Sequence, residues 1–202
     1  MSSTEIVHYP KIKRLPLYSV PYRKEPLSDS EIEILFSSEV VVEEKIDGKF
    51  SSKEYEDYIV FYEYMGIRHS IFYTKLPSFM IAFDVYDKKS RRFLGVPEKH
   101  EVLKSLDWCY VPVIYIGKID INSWRKELLK LMKRPSYYGA PLIEGVVVKN
   151  YNLQLFAKAI NKEFDEAIRG KPHYTEKGKI EENIMYSGED WDRLCNPVCE
   201  KQ

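Results

Sequence analysis

Six short segments rich in β-branched and aromatic residues place the strongest limits on how this chain of 202 residues can fold. Such side chains favour strands because they pack well on a pleated, half-buried surface. The predicted strands are residues 40–46, 58–64, 79–86, 111–116, 143–149 and 153–160. A short polar turn at residues 150–152 joins the last two strands, which predicts an antiparallel hairpin.

Helical segments interrupt the strands at intervals. Ser28 or Ser30 is a candidate cap for a short helix over residues 31–36, and Pro97 suits the first turn of a helix over residues 97–106. The third predicted helix, residues 122–133, places four apolar side chains on one face: Trp124, Leu128, Leu131 and Met132. Runs of strands broken by a few helices predict an α+β domain with largely antiparallel sheets.

The two ends of the chain differ from the middle. Residues 1–38 begin with a polar stretch punctuated by four prolines, which is typical of an extended segment that lies across a domain or contacts a partner. Beyond a further predicted helix at residues 164–169, the tail over residues 171–202 has the pattern of one or two amphipathic helices. We therefore expect a central domain over residues 39–170, with residues 1–38 packed against it.

Composition excludes some classes of protein. Apolar residues make up 44% of the chain, which is enough for a hydrophobic core and argues against disorder. The 31 basic residues balance 31 acidic residues, so nothing indicates a globally basic nucleic-acid binder, and a local basic groove stays open. No apolar run is long enough to cross a membrane. The sequence leaves the oligomeric state open.

Three cysteines bear on the cellular compartment: Cys109, Cys195 and Cys199. An odd count without a secretory signal predicts free thiols in a reducing compartment, and hence a cytoplasmic protein. The closely spaced Cys195 and Cys199 leave two alternatives open, namely half of a metal site or a disulfide near the end of the chain.

Lys45 is the leading candidate for a catalytic residue. It ends the apolar run that starts at Val40 and is followed by Asp47 and Gly48. A strand that ends on an amine can present it at the floor of a cleft. An amine nucleophile must lose its proton before it attacks, and nearby positive charge favours that loss. A site built on Lys45 therefore requires a metal-binding carboxylate and further lysines nearby.

The chain contains residues of these types at strand ends. Glu144 and Lys149 stand at the two ends of one predicted strand, and Lys158 lies on the partner strand of the hairpin. Glu63 is an acid within an apolar strand, where a carboxylate usually requires a partner. Phe83 precedes an aspartate and offers an aromatic face that can stack on a nucleobase.

Taken in order, these segments resemble the motifs of the covalent nucleotidyltransferases, which include the ATP-dependent polynucleotide ligases and the capping enzymes. The similar segments are residues 44–48, 63–66, 83–86, 144–149 and 156–158. Residues 68–71, 76–79, 83–87 and 157–168 are most similar to the RNA ligase branch. The resemblance covers about residues 39–170 and implies an ATP-grasp-like ligase catalytic domain, with antiparallel sheets around a nucleotide cleft.

The resemblance also implies a three-step reaction. Lys45 takes AMP from ATP, AMP passes to the 5′-phosphate of a nucleic-acid end, and a 3′-hydroxyl then attacks that end and releases AMP. It further implies a role for each residue of the motifs. Asp47 would lie beside the metal and the reacting ends, and Glu44 would belong to the nucleotide site. Glu63 would bind the nucleoside sugar, and Phe83 would stack on adenine.

The remaining implied roles concern the metal and the phosphate. Glu144 would hold Mg²⁺ or Mn²⁺, while Lys149 and Lys158 would contact the α-phosphate. The expected partner is RNA with 5′-phosphate and 3′-hydroxyl ends, with DNA as a possible alternative. No OB domain is evident in the sequence, which favours an RNA ligase over a DNA ligase or a capping enzyme.

Two departures from the family pattern support another reading. The position two residues after Lys158 is usually basic in phage-type RNA ligases, and here it is Ile160. The connection between Lys45 and Glu63 is also short, and the arginine that commonly follows the lysine motif is missing, with Lys49 or Lys53 as candidate substitutes. A ligase-derived protein that binds RNA ends without sealing them is therefore an alternative.

Overall fold

The computed structural model describes residues 7–18, 25–164 and 181–197. The strands within these ranges are β1 Lys13–Arg14, β2 Val40–Lys45, β3 Lys49–Glu54, β4 Tyr58–Tyr64, β5 Met80–Asp87, β6 Arg92–Phe93, β7 Cys109–Tyr110, β8 Val113–Gly117, β9 Gly145–Asn150 and β10 Leu155–Ile160. The helices are α1 Asp29–Leu35, α2 Val96–Ser105, α3 Trp124–Leu131 and α4 Trp191–Cys195.

Two sheets form the scaffold. The first sheet has the strand order β1-β10-β9-β2-β8, and the second has the order β3-β4-β5-β6, with β7 also paired to β5. All pairs are antiparallel except β1 with β10 and β5 with β7. This is the mixed, largely antiparallel architecture that the sequence predicts.

The six predicted strands and the three predicted helices before residue 164 are confirmed, with ends that shift by a few residues. Strand β3 was not predicted. Its side chains are exposed or only partly buried, so the sequence shows no apolar alternation there. The predicted helix at residues 164–169 lies almost entirely outside the described residues, as do residues 171–180 of the tail.

Apolar packing joins the two sheets and the helices. On one face of the first sheet, Val42, Val146 and Val148 pack with side chains of α1 and α3, among them Leu35 and Leu128. On its other face a second cluster, which includes side chains of β4 and β10, packs in the space that contains the candidate site. Helix α2 covers the outer face of the second sheet.

The described residues before β2 are integrated into this core. Leu15, Leu17 and Leu27 are buried with the residues of the first sheet, and β1 extends that sheet by pairing with β10. The capping box at the start of α1 consists of Ser28 and Glu31, because each side chain bonds to the backbone of the other residue.

The prediction of free thiols is wrong for two of the three cysteines. Cys109 and Cys195 form a disulfide whose Cα atoms are 4.3 Å apart. Local spacing in the sequence does not indicate this pair, because the two cysteines are 86 positions apart and the packing of α4 near β7 brings them together. Cys199 lies outside the described residues. None of the helices in the described part of the chain is long and apolar enough to cross a bilayer.

Candidate active site

A cavity of about 260 Å³ is lined by residues from both sheets, and we call it the Lys45 cavity. Its walls contain five of the residues that the sequence predicted for a nucleotide site, namely Lys45, Glu63, Phe83, Lys149 and Lys158. Glu44 also lines it, while Glu144 reaches it through a contact with Lys45. The predicted residues therefore converge, although they come from five different strands and one loop.

Lys45 is the last residue of β2, and its amine is held by two acceptors. The Nζ atom donates to Glu144 Oε2 at 2.5 Å and to the Ile46 carbonyl oxygen at 3.2 Å. Burial lowers the pKa of Lys45, but the negative charges of Glu144 and Asp47 outweigh burial and hold that pKa above its ordinary value. In this arrangement Lys45 is therefore an ammonium group.

Two glycines explain part of the sequence pattern around Lys45. A Cβ atom at Gly48 would lie 2.6 Å from Met65 Sδ and 2.7 Å from the Tyr64 carbonyl oxygen. A Cβ atom at Gly145 would collide with the Ala159 carbonyl oxygen of β10. Glycine at these positions lets neighbouring backbones approach closely, which places Lys45 next to the residues that follow Glu144.

Glu144 and Glu63 are carboxylates in an environment that disfavours negative charge. Burial raises the pKa of both, and the nearby Asp47 raises each of them further against the attraction of Lys45. The pKa of Glu63 is raised to about 7. Its Oε2 atom is buried and accepts no hydrogen bond from the described residues, so it can bind a hydroxyl group of a ligand.

Asp47 is anchored from both its backbone and its side chain. Its backbone N–H donates to Tyr73 Oη at 3.0 Å. Its carboxylate accepts from the backbone N–H of Ser70 at 2.7 Å and also from the Ser70 hydroxyl. Ser70 belongs to the stretch at residues 68–71 that resembles RNA ligases, and its contacts fix Asp47 two residues beyond Lys45.

Glu44 directs its carboxylate away from Lys45, because neighbouring residues of a strand point to opposite faces. Its oxygens accept from Ser136 Oγ at 2.5 Å and from the Tyr137 backbone N–H at 3.0 Å. Burial raises the pKa of Glu44 to about 7. Its carboxylate is thus occupied by Ser136 and Tyr137, and its role in nucleotide binding stays a prediction.

Lys149 lies in a buried ion cluster that consists of Glu43, Asp84, Lys99 and Lys149. Its Nζ atom is 2.6 Å from Glu43 Oε2 and 2.9 Å from Asp84 Oδ2. Lys99, from α2, donates to the other oxygen of Glu43. To contact a phosphate, as predicted, Lys149 would have to give up these partners. Lys158 of β10 is partly buried and also lines the cavity.

Two aromatic rings, tilted by 43° to each other, line the cavity. Phe83 was predicted as the ring that stacks on a base, and Phe50 of β3 lies 6.1 Å from it between ring centroids. Phe50 is 49% exposed, which is unusual for a phenylalanine and leaves its ring accessible to a ligand. The sequence analysis missed Phe50 because it missed β3.

The carboxylates at the cavity suit a hard divalent cation that takes its remaining ligands from water and substrate. The described residues contain no cluster of three acidic, histidine or cysteine side chains arranged around a metal position. Mg²⁺ is commonly bound by one or two carboxylates together with water and substrate phosphates. Glu144 provides such a set together with Asp47, which raises the pKa of Glu144, and Glu63, whose own pKa is raised by burial and by Glu144.

Other residues of this region escaped prediction from the sequence. Lys99 carries no motif signal, since a lysine on an amphipathic helix usually faces solvent. Tyr9, which precedes β1, also lines the cavity. The only signal for Tyr9 was the prediction that the segment lies across the domain.

The family model described as RNA ligase matches residues 42–162, which is more than half of the chain. This stretch runs from within β2 to the end of β10 and contains every strand residue of the predicted site. The chain belongs to the RNA ligase family. No curated protein matches the sequence.

Solved structures of Naegleria gruberi RNA ligase share the fold. A mutant form with ATP and Mn gives a TM-score of 0.52 at 16% identity, over 69% of this chain and 55% of that one. The form with PPi gives 0.53 at 15% identity, over 85% and 64%. A mutant apo form gives 0.52 at 15% identity, over 81% and 64%. The chain thus spans between about half and two thirds of the length of these ligases.

Proposed function

We propose that the chain is an ATP-dependent RNA ligase that joins 5′-phosphate and 3′-hydroxyl ends. The observation that carries this proposal is Lys45, which ends β2 with its amine 2.5 Å from Glu144 at a cavity, in a chain of the RNA ligase family. The ATP and Mn named for the Naegleria gruberi structures support ATP and a divalent cation, Mg²⁺ or Mn²⁺, as its requirements.

In the first step, deprotonated Lys45 Nζ attacks the α-phosphorus of ATP. A P–N bond forms, the P–O bond to pyrophosphate breaks, and lysyl-AMP remains. Phe83 stacks on adenine, Glu63 binds a ribose hydroxyl, and Lys158 offsets the charge of the α-phosphate. Glu144 would hold the divalent cation, whose charge neutralises the phosphates and favours the neutral amine.

The next two steps use nucleic-acid ends. AMP passes from Lys45 to a 5′-phosphate, and a 3′-hydroxyl then attacks this activated phosphate and displaces AMP. Asp47, anchored by Ser70, lies close to the amine that releases AMP and is therefore placed to orient the reacting ends. The chemistry is the same for RNA and DNA, so family membership is what favours RNA.

Transfer of label from α-³²P-ATP to the denatured protein tests the first step. We expect a labelled adduct that requires Mg²⁺ or Mn²⁺ and is lost in Lys45→Ala. Lys126→Ala is the matched control, because Lys126 is exposed on α3. If neither ATP nor GTP leaves a label on the wild-type chain, the proposed activity is refuted; if Lys45→Ala is still labelled, another residue is the nucleophile.

A second candidate is a ligase-derived protein that binds RNA ends without completing the sealing step. Ile160 favours it, because this residue is 8% exposed and provides no charge next to Lys158 on β10. Sealing assays on 5′-phosphorylated RNA and DNA separate the candidates. A ligase joins the ends, whereas the binding protein retains RNA in a gel-shift assay and yields no joined product.

A further inference from the structure

Part of the wall of the Lys45 cavity comes from residues 7–15, which we call the N-terminal segment. This segment lies outside the family-matched residues 42–162. Tyr9, Pro10 and Ile12 line the cavity together with Phe83 and Lys45. The cavity is therefore incomplete without residues that precede the family match.

The N-terminal segment is fixed beyond Ile12 by sheet pairing. Lys13 and Arg14 pair in parallel with Ala157 and Lys158 of β10. The backbone N–H of Leu15 then donates to the Lys158 carbonyl oxygen at 2.8 Å. These bonds hold one end of the segment against the strand that carries a predicted phosphate-binding lysine.

Tyr9 fixes the other end of the segment. Its ring centroid lies 5.0 Å from that of Phe61 and 5.3 Å from that of Phe93, so the ring joins the buried aromatic core. Its hydroxyl donates to Asp84, which is fully buried within the ion cluster. A hydrogen bond to an ionised carboxylate is stronger than one between neutral groups, and it gives the Tyr9 ring one defined position.

Phe83 is held from two sides by this arrangement. Its carbonyl oxygen accepts from Lys149 Nζ at 2.9 Å and from Lys99 Nζ at 3.1 Å. Its ring meets the Tyr9 ring at 5.2 Å with an interplanar angle of 85°, an edge contact. The ion cluster thus fixes the backbone of Phe83, and Tyr9 limits how far its ring can tilt.

We infer that the N-terminal segment forms part of the nucleotide site. Tyr9 positions the ring of Phe83, and Ile12 contacts the bound nucleotide directly. This inference rests on the proposed function, because it assigns ATP to the Lys45 cavity. Tyr9 acts through Phe83 and touches neither Lys45 nor Glu144. Its loss therefore weakens ATP binding and leaves the attack of Lys45 on bound ATP nearly unchanged.

The kinetics of lysyl-AMP formation test this inference. We expect Tyr9→Ala to raise KM for ATP roughly tenfold, since base stacking is worth ~1–3 kcal/mol, and to change kcat less than threefold. Tyr9→Phe keeps the ring contacts and should stay within about threefold of wild-type KM. Ile12→Ser should raise KM about threefold through loss of an apolar contact.

Tyr18→Ala is the matched control, because Tyr18 lies near the N-terminal segment but packs on the face of the first sheet that is covered by α1 and α3. It packs against the cluster around Val42 and accepts a hydrogen bond from the Lys162 N–H at 3.3 Å. We expect its KM for ATP to stay within twofold of wild type, even where thermal unfolding shows a loss of stability. Equal KM values for Tyr9→Ala and wild type, or an equal rise in Tyr18→Ala, would overturn the inference.

Photocrosslinking provides a direct readout of the contact with Ile12. With 8-azido-ATP and Lys45→Ala, which cannot form the adduct, we expect label on peptides from residues 1–13. Label confined to later peptides would overturn the contact. A wild-type chain that forms no adduct and binds no ATP refutes the proposed function as well, whereas normal adduct formation with an unchanged KM in Tyr9→Ala refutes only this inference.

Discussion

Replacement of Glu44 by glutamine should stabilise the protein in a pH-dependent manner. Glu44 is 3% exposed, and burial raises the pKa of its carboxyl group from the ordinary 4.5 to about 7. The folded state therefore binds more protons than the unfolded state between these values. Stability is highest where Glu44 is protonated in both states and falls as the pH rises from 4.5 to 7. Glutamine keeps the shape of the side chain without this titration.

The size of the effect follows from the gap between the two pKa values. A gap from 4.5 to about 7 corresponds to ~3 kcal/mol at 1.36 kcal/mol per pKa unit. The glutamine oxygen can accept from the Tyr137 N–H, and its amide can donate to Ser136 Oγ, so the neighbouring groups keep most of their partners. For a chain of this length ~3 kcal/mol is a rise in Tm of roughly 6–12 °C.

Urea denaturation of both proteins between pH 4.5 and 8.5 measures this difference. The free energy of unfolding of Glu44→Gln should exceed that of the wild type by ~3 kcal/mol at pH 8.5 and match it within ~1 kcal/mol at pH 4.5. Glu33→Gln, at an exposed position on α1, should differ from wild type by less than ~0.5 kcal/mol throughout. Parallel stability curves for Glu44→Gln and wild type would refute the reasoning.

Three further predictions concern stability. Burial and nearby lysines lower the pKa of His100 from 6.5 to about 3. Because the unfolded state then binds more protons, Tm should fall as the pH is lowered below 6.5, and thermal melts of His100→Phe should show a smaller fall. Lys149→Met should lower the free energy of unfolding in urea by ~3–5 kcal/mol, because it leaves buried carboxylates unpaired. Adding Glu43→Gln to this variant should recover part of the loss. A loss below ~1 kcal/mol would contradict the stabilising role of the ion cluster. Cys195→Ser opens a cross-link over 86 residues and should cost ~4–5 kcal/mol, whereas Cys199→Ser should leave Tm nearly unchanged if Cys195 pairs as described.

Most of the fold could be predicted from the sequence, and the part that could not has a physical reason. The predicted strands contain buried β-branched and aromatic residues, as in Val40–Val42, and this signal is local. Strand β3 lacks it, since its stability comes from backbone pairing with β4 and not from a buried face. The disulfide between Cys109 and Cys195 depends on tertiary packing, which no local spacing encodes.

The sequence predicted which residues lie together at the candidate site, but not which charged side chains pair with one another. The order of the motifs predicts that Lys45, Glu63, Phe83 and Lys158 lie close together in the fold. All four line the Lys45 cavity. The roles assigned to these residues stay predictions until the adduct assay is done. A motif cannot show which partner a charged side chain finds, because that partner can come from any element, as Lys99 of α2 does.

The two lysines that follow Glu144 illustrate the consequence. Lys149 alternates onto the cavity side of β9, yet two buried carboxylates already balance its charge. Removing it should therefore destabilise the protein first and reduce adduct formation through the displaced Phe83, whose carbonyl it holds at 2.9 Å. Removing Lys158, which lies outside the ion cluster, should leave the cluster intact and raise KM for ATP. If Lys149→Met folds normally and loses only phosphate affinity, the role implied by the family motif is right and the structural role argued from the ion cluster is wrong.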